Sequence, residues 1–326
     1  MLLFVLSLPL AAAEITRVGP YSFHSSFWVN LHETLMHCAT ARTPCDVSAM
    51  TAEEKAAWTS AVDVYRKTGE GQITFRRPMG ITRDVLSTVA DDDAAPEIKP
   101  PLGPALLQAA SIYRRLFWPD DDLANRFWIA YASAMLGHAG DELMSEHSRV
   151  YATPWPESVR VDAARYAVPF GAYTTIGKVA GVHATISTRG QANMGIGALE
   201  TLLHEPSHAI VSPRNGTVAE AIRRHSDRLG IEPPDDLWHA ILFATSSELT
   251  RRALEGRGID YTPQAEDLFR RVWPRYRDPI RQHWFAYIDD RLTFDEAIGR
   301  IVEATSWIIP PTSKLSRYSS ILPASI

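Results

Sequence analysis

The string His204-Glu205-Pro206-Ser207-His208 sets two imidazoles four residues apart with a carboxylate between them. On an α-helix such a pair lies one ring above the other, about 40° apart around the axis, so both can reach one zinc ion at roughly 2.0 to 2.1 Å. Glu205 falls about 100° from His204, beside the metal rather than on it, where it can take a proton from zinc-bound water. Leu199, Leu202, Leu203, Pro206 and Ile210 repeat at helical spacing and form the stripe that must face the core. The histidines fall on the opposite side, beside Gly197 and Thr201, facing a space floored by small side chains.

Two side chains leave a zinc site incomplete; catalytic sites use three and keep the fourth position for water. Glu248 is the first choice, because Leu237, Ile241, Ala244 and Glu248 share one face of a helix and the carboxylate ends an apolar stripe. A buried carboxylate needs a partner, and zinc is one; an arginine such as Arg251 or Arg252 is the other. His239 is the alternative ligand, about half a turn around from Glu248, near Phe243, Ser246 and Thr250. Glu220 is a third choice. His24, His32 and His37 belong to the first helix or its margin, where His32 and Asn30 could border a cleft but a structural role is favoured.

These pieces resemble the zincins, the superfamily of HExxH zinc metallopeptidases, over about 80 residues that hold a strand, a turn, the HExxH helix and a later ligand helix. The gluzincin branch takes its third ligand as a Glu from a following helix, which is the place of Glu248. The resemblance also implies that Val182 to Thr188 lies along the cleft and receives an extended peptide as an added strand. It further suggests His283 and Tyr287 as donors to a developing oxyanion, although Trp284 and Phe285 beside them point to core packing. The phrases Ser26-Phe27-Trp28-Val29-Asn30-Leu31-His32 and Leu237-Trp238-His239-Ala240-Ile241-Leu242-Phe243 are similar to those of uncharacterised exported bacterial proteins carrying HExxH. One departure is Pro206, which stands where the family has a bulky apolar residue; it removes a helical hydrogen bond and could misplace Glu205.

Periodicity predicts an α+β fold, predominantly helical, with a small antiparallel sheet before the HExxH helix. Ser25 or Ser26 caps a first helix, and the boxes Thr51-x-x-Glu54 and Thr293-x-x-Glu296 open two others. Helices are expected over 105–117, 120–136, 140–151, 217–229, 235–255 and 262–273, and strands over 158–168, 173–180 and 182–188. This gives a helical N-terminal lobe over 14–156 and a zincin-like catalytic region over 157–310, with a surface linker at 91–104 and a loose tail at 311–326.

Residues 1–13 (MLLFVLSLPLAAA) read as a signal peptide with an Ala-x-Ala cleavage site, so the protein is expected to be secreted or periplasmic. There Cys38 and Cys45, the two cysteines in the chain, can pair. With 326 residues, a net charge of -5 and no long basic run, the chain offers a sizeable core but no electrostatic support for nucleic acid. No apolar stretch is long enough to span a membrane. The leading expectation is a zinc hydrolase acting on a peptide or protein substrate; the alternative is a non-catalytic helical binding protein that retains a zinc site or its relic.

Overall fold

The computed structural model describes residues 14–42, 45–69, 73–90, 97–213 and 216–306. The expected signal 1–13, the tail 311–326 and residues 91–96 of the expected linker lie outside them. A short hairpin comes first, β1 (Glu14–Val18) and β2 (Tyr21–His24), turned at Gly19, whose φ of 52° suits glycine. Ser26 then caps α1 (Phe27–Thr40), its Oγ accepting from Val29 N at 3.4 Å. The Thr51/Glu54 box opens α2 (Ala52–Thr68), both of its reciprocal hydrogen bonds being formed. Next come α3 (Arg77–Leu86), α4 (Leu102–Leu116) and α5 (Trp118–Tyr151), a single helix of 34 residues where two were expected.

Strands β3 (Val159–Ala164), β4 (Ala172–Ile176) and β5 (Val182–Ser187) precede α6 (Gly197–Ser207), which carries His204 and Glu205. The chain continues through α7 (Thr217–Leu229), α8 (Leu237–Glu255), α9 (Gln264–Arg271), α10 (Arg277–Pro279), a π-helical turn at Ile280–Trp284, α11 (Phe285–Ile288) and α12 (Phe294–Ser306). The box at Thr293 and Glu296 caps α12 as expected, with Thr293 N donating to Glu296 Oε2 at 2.9 Å. Among the described residues no helix is long and apolar enough to cross a membrane.

The fold is α+β, but the sheet differs from the expected one. It has five strands in the order β1-β2-β3-β5-β4, with β2/β3 and β3/β5 parallel and the outer pairs antiparallel. The link from β2 to β3 runs through α1 to α5, a crossover long enough for parallel pairing. Strand β5 is hydrogen-bonded on both sides, to β3 and to β4. Neither of its edges is open, so Val182–Ser187 cannot receive a peptide as an added strand.

Two compact units result, residues 1–138 with 157–198, and residues 139–156 with 199–326. The sheet thus belongs with the N-terminal helices instead of opening a unit with the HExxH helix. In the first unit Phe27, Leu31 and Leu35 of α1 pack with Trp58 and Tyr65 of α2 and Leu106 and Tyr113 of α4. Asn30 ties α1 to β3, donating to Ala163 O at 3.1 Å and accepting from Arg165 N at 3.0 Å. A disulfide joins Cys38 to Cys45, with Cα atoms 5.5 Å apart. In the second unit α8 is the buried axis: Thr245 accepts from the indole of Trp284 at 2.8 Å, and α7 and α12 pack on each other.

Candidate metal centre

Helix α6 buries the expected stripe, with Leu199, Leu202 and Leu203 at most 1% exposed. It ends at Ser207, one residue short of the second histidine. Pro206 has no N–H to donate, and the chain beyond it tightens into a turn in which His208, Ala209 and Ile210 donate to the carbonyls of Glu205, Pro206 and Ser207 at 3.0 to 3.1 Å. The Ser207 hydroxyl donates to Leu203 O at 2.7 Å. His204 and His208 nevertheless stay together, their ring centroids 5.0 Å apart.

The third histidine is His239, in the first turn of α8. One ligand nitrogen from each of His204, His208 and His239 lies within 4.8 Å of the other two. This is the group of metal-capable side chains found among the described residues. His204 Nδ1 and His239 Nε2 are buried without a hydrogen-bond partner, as nitrogens reserved for a metal would be. Burial pushes all three imidazoles below their ordinary pKa, His208 to about 4, so each is neutral near pH 7. Neutral imidazole is the form that ligates. The donor set therefore fits a divalent ion that accepts nitrogen ligands.

Aromatic side chains wall this triad. His204 stacks on Phe243 with centroids 3.7 Å apart, His239 stacks on Trp238 at 4.8 Å, and His239 meets Trp273 edge-on at 5.4 Å. Packing of this kind holds each ring at one orientation. His147 of α5 is close enough for its charge to bear on His204, but its own nitrogens face Leu143 O at 2.7 Å and Ser246 Oγ at 3.2 Å. It is a buried neighbour of the site, engaged elsewhere.

A second carboxylate, which the sequence reading passed over, braces the helices. Glu200 stands one turn before His204 on α6 and is 1% exposed. Its Oε1 accepts from Ser247 Oγ of α8 at 2.6 Å, and its Oε2 accepts from Tyr261 at 2.6 Å and from Gln264 N at 3.2 Å. Ser247 Oγ also accepts from Ala265 N at 3.1 Å. Glu200 thus links the helix of His204 to the helix of His239. Burial pushes its carboxyl up to about 7, against the lowering effect of those three hydrogen bonds.

Glu248 is not part of the triad, and the expectation that it supplies the third ligand is corrected. Its carboxylate is held by Arg251 at 2.8 and 2.9 Å and by Arg252 at 2.6 Å. The apolar stripe before it is buried as expected, but the partner comes from its own helix, at spacings of three and four. His239 is the side chain that meets His204 and His208 instead. Glu220 is exposed on α7. Tyr287 donates its hydroxyl to Val150 O at 2.6 Å and packs on Trp284 and Phe294, which commits it to the core. His283 is half-buried on the π-helical turn, its pKa lowered by burial and by Arg300. Glu205 is 5% exposed, next to His204 in the last turn of α6. His32 and Asn30, which could have bordered a cleft, are wholly buried in the first unit, and His37 stacks on Tyr166. No family model matches the chain, and no curated protein or solved structure matches it.

Proposed function

We propose that this chain is a zinc-dependent hydrolase of the zincin type, acting on peptide or protein substrates outside the cytoplasm. The observation that carries the reading is the meeting of one ring nitrogen from each of His204, His208 and His239 within 4.8 Å of one another, with Glu205 next to His204 in the HExxH string. Three neutral imidazoles leave a tetrahedral ion one position for water or substrate. Zinc held there would supply a Lewis acid for the scissile carbonyl and lower the pKa of water. Glu205 is the general base: it accepts the proton of the attacking water and delivers it to the leaving amine. Phe243, Trp238 and Trp273 pack on the histidine rings and hold them in place. With His239 rather than Glu248 as third ligand, the likeness rests on the HExxH helix and not on the gluzincin ligand set. The Cys38–Cys45 disulfide supports export, because such bonds persist in oxidising compartments.

The test is metal analysis of protein purified without added zinc, followed by a peptide-library assay. About one equivalent of zinc is expected, with hydrolysis in the wild type and none in Glu205→Gln, whose amide keeps the shape but cannot take the proton. Metal bound at His204, His208 and His239 without any hydrolysis would favour the non-catalytic zinc protein. A chain that binds no metal would end both readings.

A further inference from the structure

One surface of the first unit is both apolar and basic. Two segments make it: the tight turn Ile73–Phe75 with α3 after it, and residues 168–181, which hold the β3–β4 connection, β4 and the β4–β5 turn. They are tied together at both ends and between. Thr74 donates its hydroxyl to Val168 O, and Phe75 stacks on Phe170 with ring centroids 6.1 Å apart. Phe75 also meets Tyr173 edge-on at 6.2 Å, and the Arg83 guanidinium lies over the Tyr173 ring at 4.3 Å. At the far end the Asp84 carboxylate accepts from the backbone N–H groups of Lys178, Val179 and Ala180 at 2.9 to 3.3 Å. Gly177 permits that approach, because a Cβ there would fall 1.9 Å from Asp84 Oδ1.

This frame holds four large apolar side chains in water: Phe75, Ile81, Phe170 and Val179 are each 52% to 59% exposed. A single exposed apolar residue is ordinary, but two stacked phenyl rings with two aliphatic residues on the same braced segments form a patch. The surface charges of these segments have one sign. Arg76, Arg77 and Lys178 are exposed, whereas Asp84, the one acidic residue of 73–86 and 168–181, is engaged by three backbone N–H groups. In a chain of net charge -5, this is a local excess of cations.

An occupant complementary to this surface must take up apolar groups and present anions beside them. A bilayer with anionic headgroups does both. Phenyl and aliphatic side chains enter the boundary between headgroups and acyl chains, and the stems of Arg and Lys lie along it while their charged ends meet phosphate. The surface is also open enough to meet a plane: Gly80 on α3 and Gly181 in the β4–β5 turn have only open space where a side chain would stand.

We propose that this patch docks the protein on an anionic phospholipid surface, with Phe75, Ile81, Phe170 and Val179 entering the interface and Arg77 and Lys178 meeting lipid phosphates. The docking is independent of the zinc reading. Its test is flotation of the full-length protein with vesicles of phosphatidylcholine alone, and with vesicles in which about a third of the lipid is phosphatidylglycerol. Binding to the anionic vesicles is expected, weaker at high salt and at least about tenfold weaker on phosphatidylcholine alone. The double change Phe75→Ser with Phe170→Ser, and separately Lys178→Glu, should each weaken it at least about tenfold. Lys178→Glu keeps every apolar group and decides the matter if the double variant does not fold. Residues 1–13 are the same in every variant, so any affinity of theirs for lipid cancels in the comparison. Failure to bind anionic vesicles, equal binding to neutral ones, or equal binding by wild type and variants overturns the proposal. Self-association in sedimentation velocity that the double change abolishes, with no vesicle bound, overturns it too and gives the patch to a second copy of the chain.

Discussion

Replacing Glu200 with Gln should abolish a pH-dependent loss of stability that the wild-type protein carries across neutral pH. The carboxyl is lifted by burial from 4.5 to about 7, so the folded chain holds this proton more tightly than the unfolded chain does. The sign follows from linkage. Its contribution is fully present below about pH 4.5 and is lost as pH rises through about 7, because the folded state must then carry a buried charge or give up its hydrogen bonds. At about 1.4 kcal/mol per pH unit the interval is worth about 3 kcal/mol, with roughly 2 kcal/mol already lost by pH 6. Gln suits the site: its carbonyl can accept from Tyr261 and Gln264 N, as Oε2 does, while its amide donates to Ser247 Oγ. Urea unfolding of metal-free wild type and Glu200→Gln at pH 5, 6, 7 and 8 isolates the effect, since the depressed histidines titrate alike in both proteins and cancel in the difference. The variant should gain about 2 to 3 kcal/mol on the wild type between pH 5 and 8. A difference that stays flat within about 0.5 kcal/mol would refute the argument that Glu200 is buried against the strength of its hydrogen bonds.

Three other outcomes follow from the same geometry. His239→Ala should lose most bound zinc while Glu248→Ala keeps it and costs only about 1 kcal/mol of stability, because Arg251 and Arg252 are about a third exposed; metal content by mass spectrometry, beside urea unfolding, checks both. On acidification, zinc release should begin well below pH 6.5, since burial lowers the pKa of all three ligands, His208 to about 4, and protons compete only there; release centred on pH 6.5 in a dialysis series would contradict the burial. Reducing Cys38–Cys45, or changing both to Ser, should cost about 2 to 3 kcal/mol for so short a loop, and full stability after reduction, measured with the thiols alkylated, would show that the bond constrains nothing.

The parts of the site legible in the sequence are those fixed by a single helix. His204, Glu205 and His208 follow from spacing, and the stripe of Leu199, Leu202 and Leu203 is buried as its period requires. Which side chain joins His204 and His208 depends on the face of α8 that meets α6, and that is set by packing. Both faces of α8 offered a ligand: the apolar stripe led to Glu248, whereas His239 and Phe243, one turn apart, meet His204. The arginines at spacings of three and four after Glu248 were the available signal that its carboxylate was already satisfied. Glu200, His204 and His208 likewise stand at intervals of four, a pattern that marks Glu200 as facing the same side. The sheet was less legible, because β1 and β2 are five and four residues long and the pairing of β2 with β3 depends on a partner about 140 residues away. No local pattern encodes such a pairing.

Pro206 shows why a feature that looks destructive in sequence need not be so in place. In a helix interior, proline removes one hydrogen bond and clashes with the preceding turn, at a cost of about 3 kcal/mol. Near a C-terminus the last carbonyls lack helical donors in any case, and a tight turn can satisfy them. That is the arrangement here: Ser207 supplies its hydroxyl to Leu203 O, and the N–H groups of residues 208 to 210 bond three residues back. Ending the helix at Ser207 brings His208 onto the turn, where its ring centroid lies 5.1 Å from that of His239 and 5.8 Å from that of Trp238. The C-terminal end of a helix also carries partial negative charge, which favours a cation beside it. The proline therefore sets where the helix stops, and the stop leaves the His208 ring about as near to His204 as to His239.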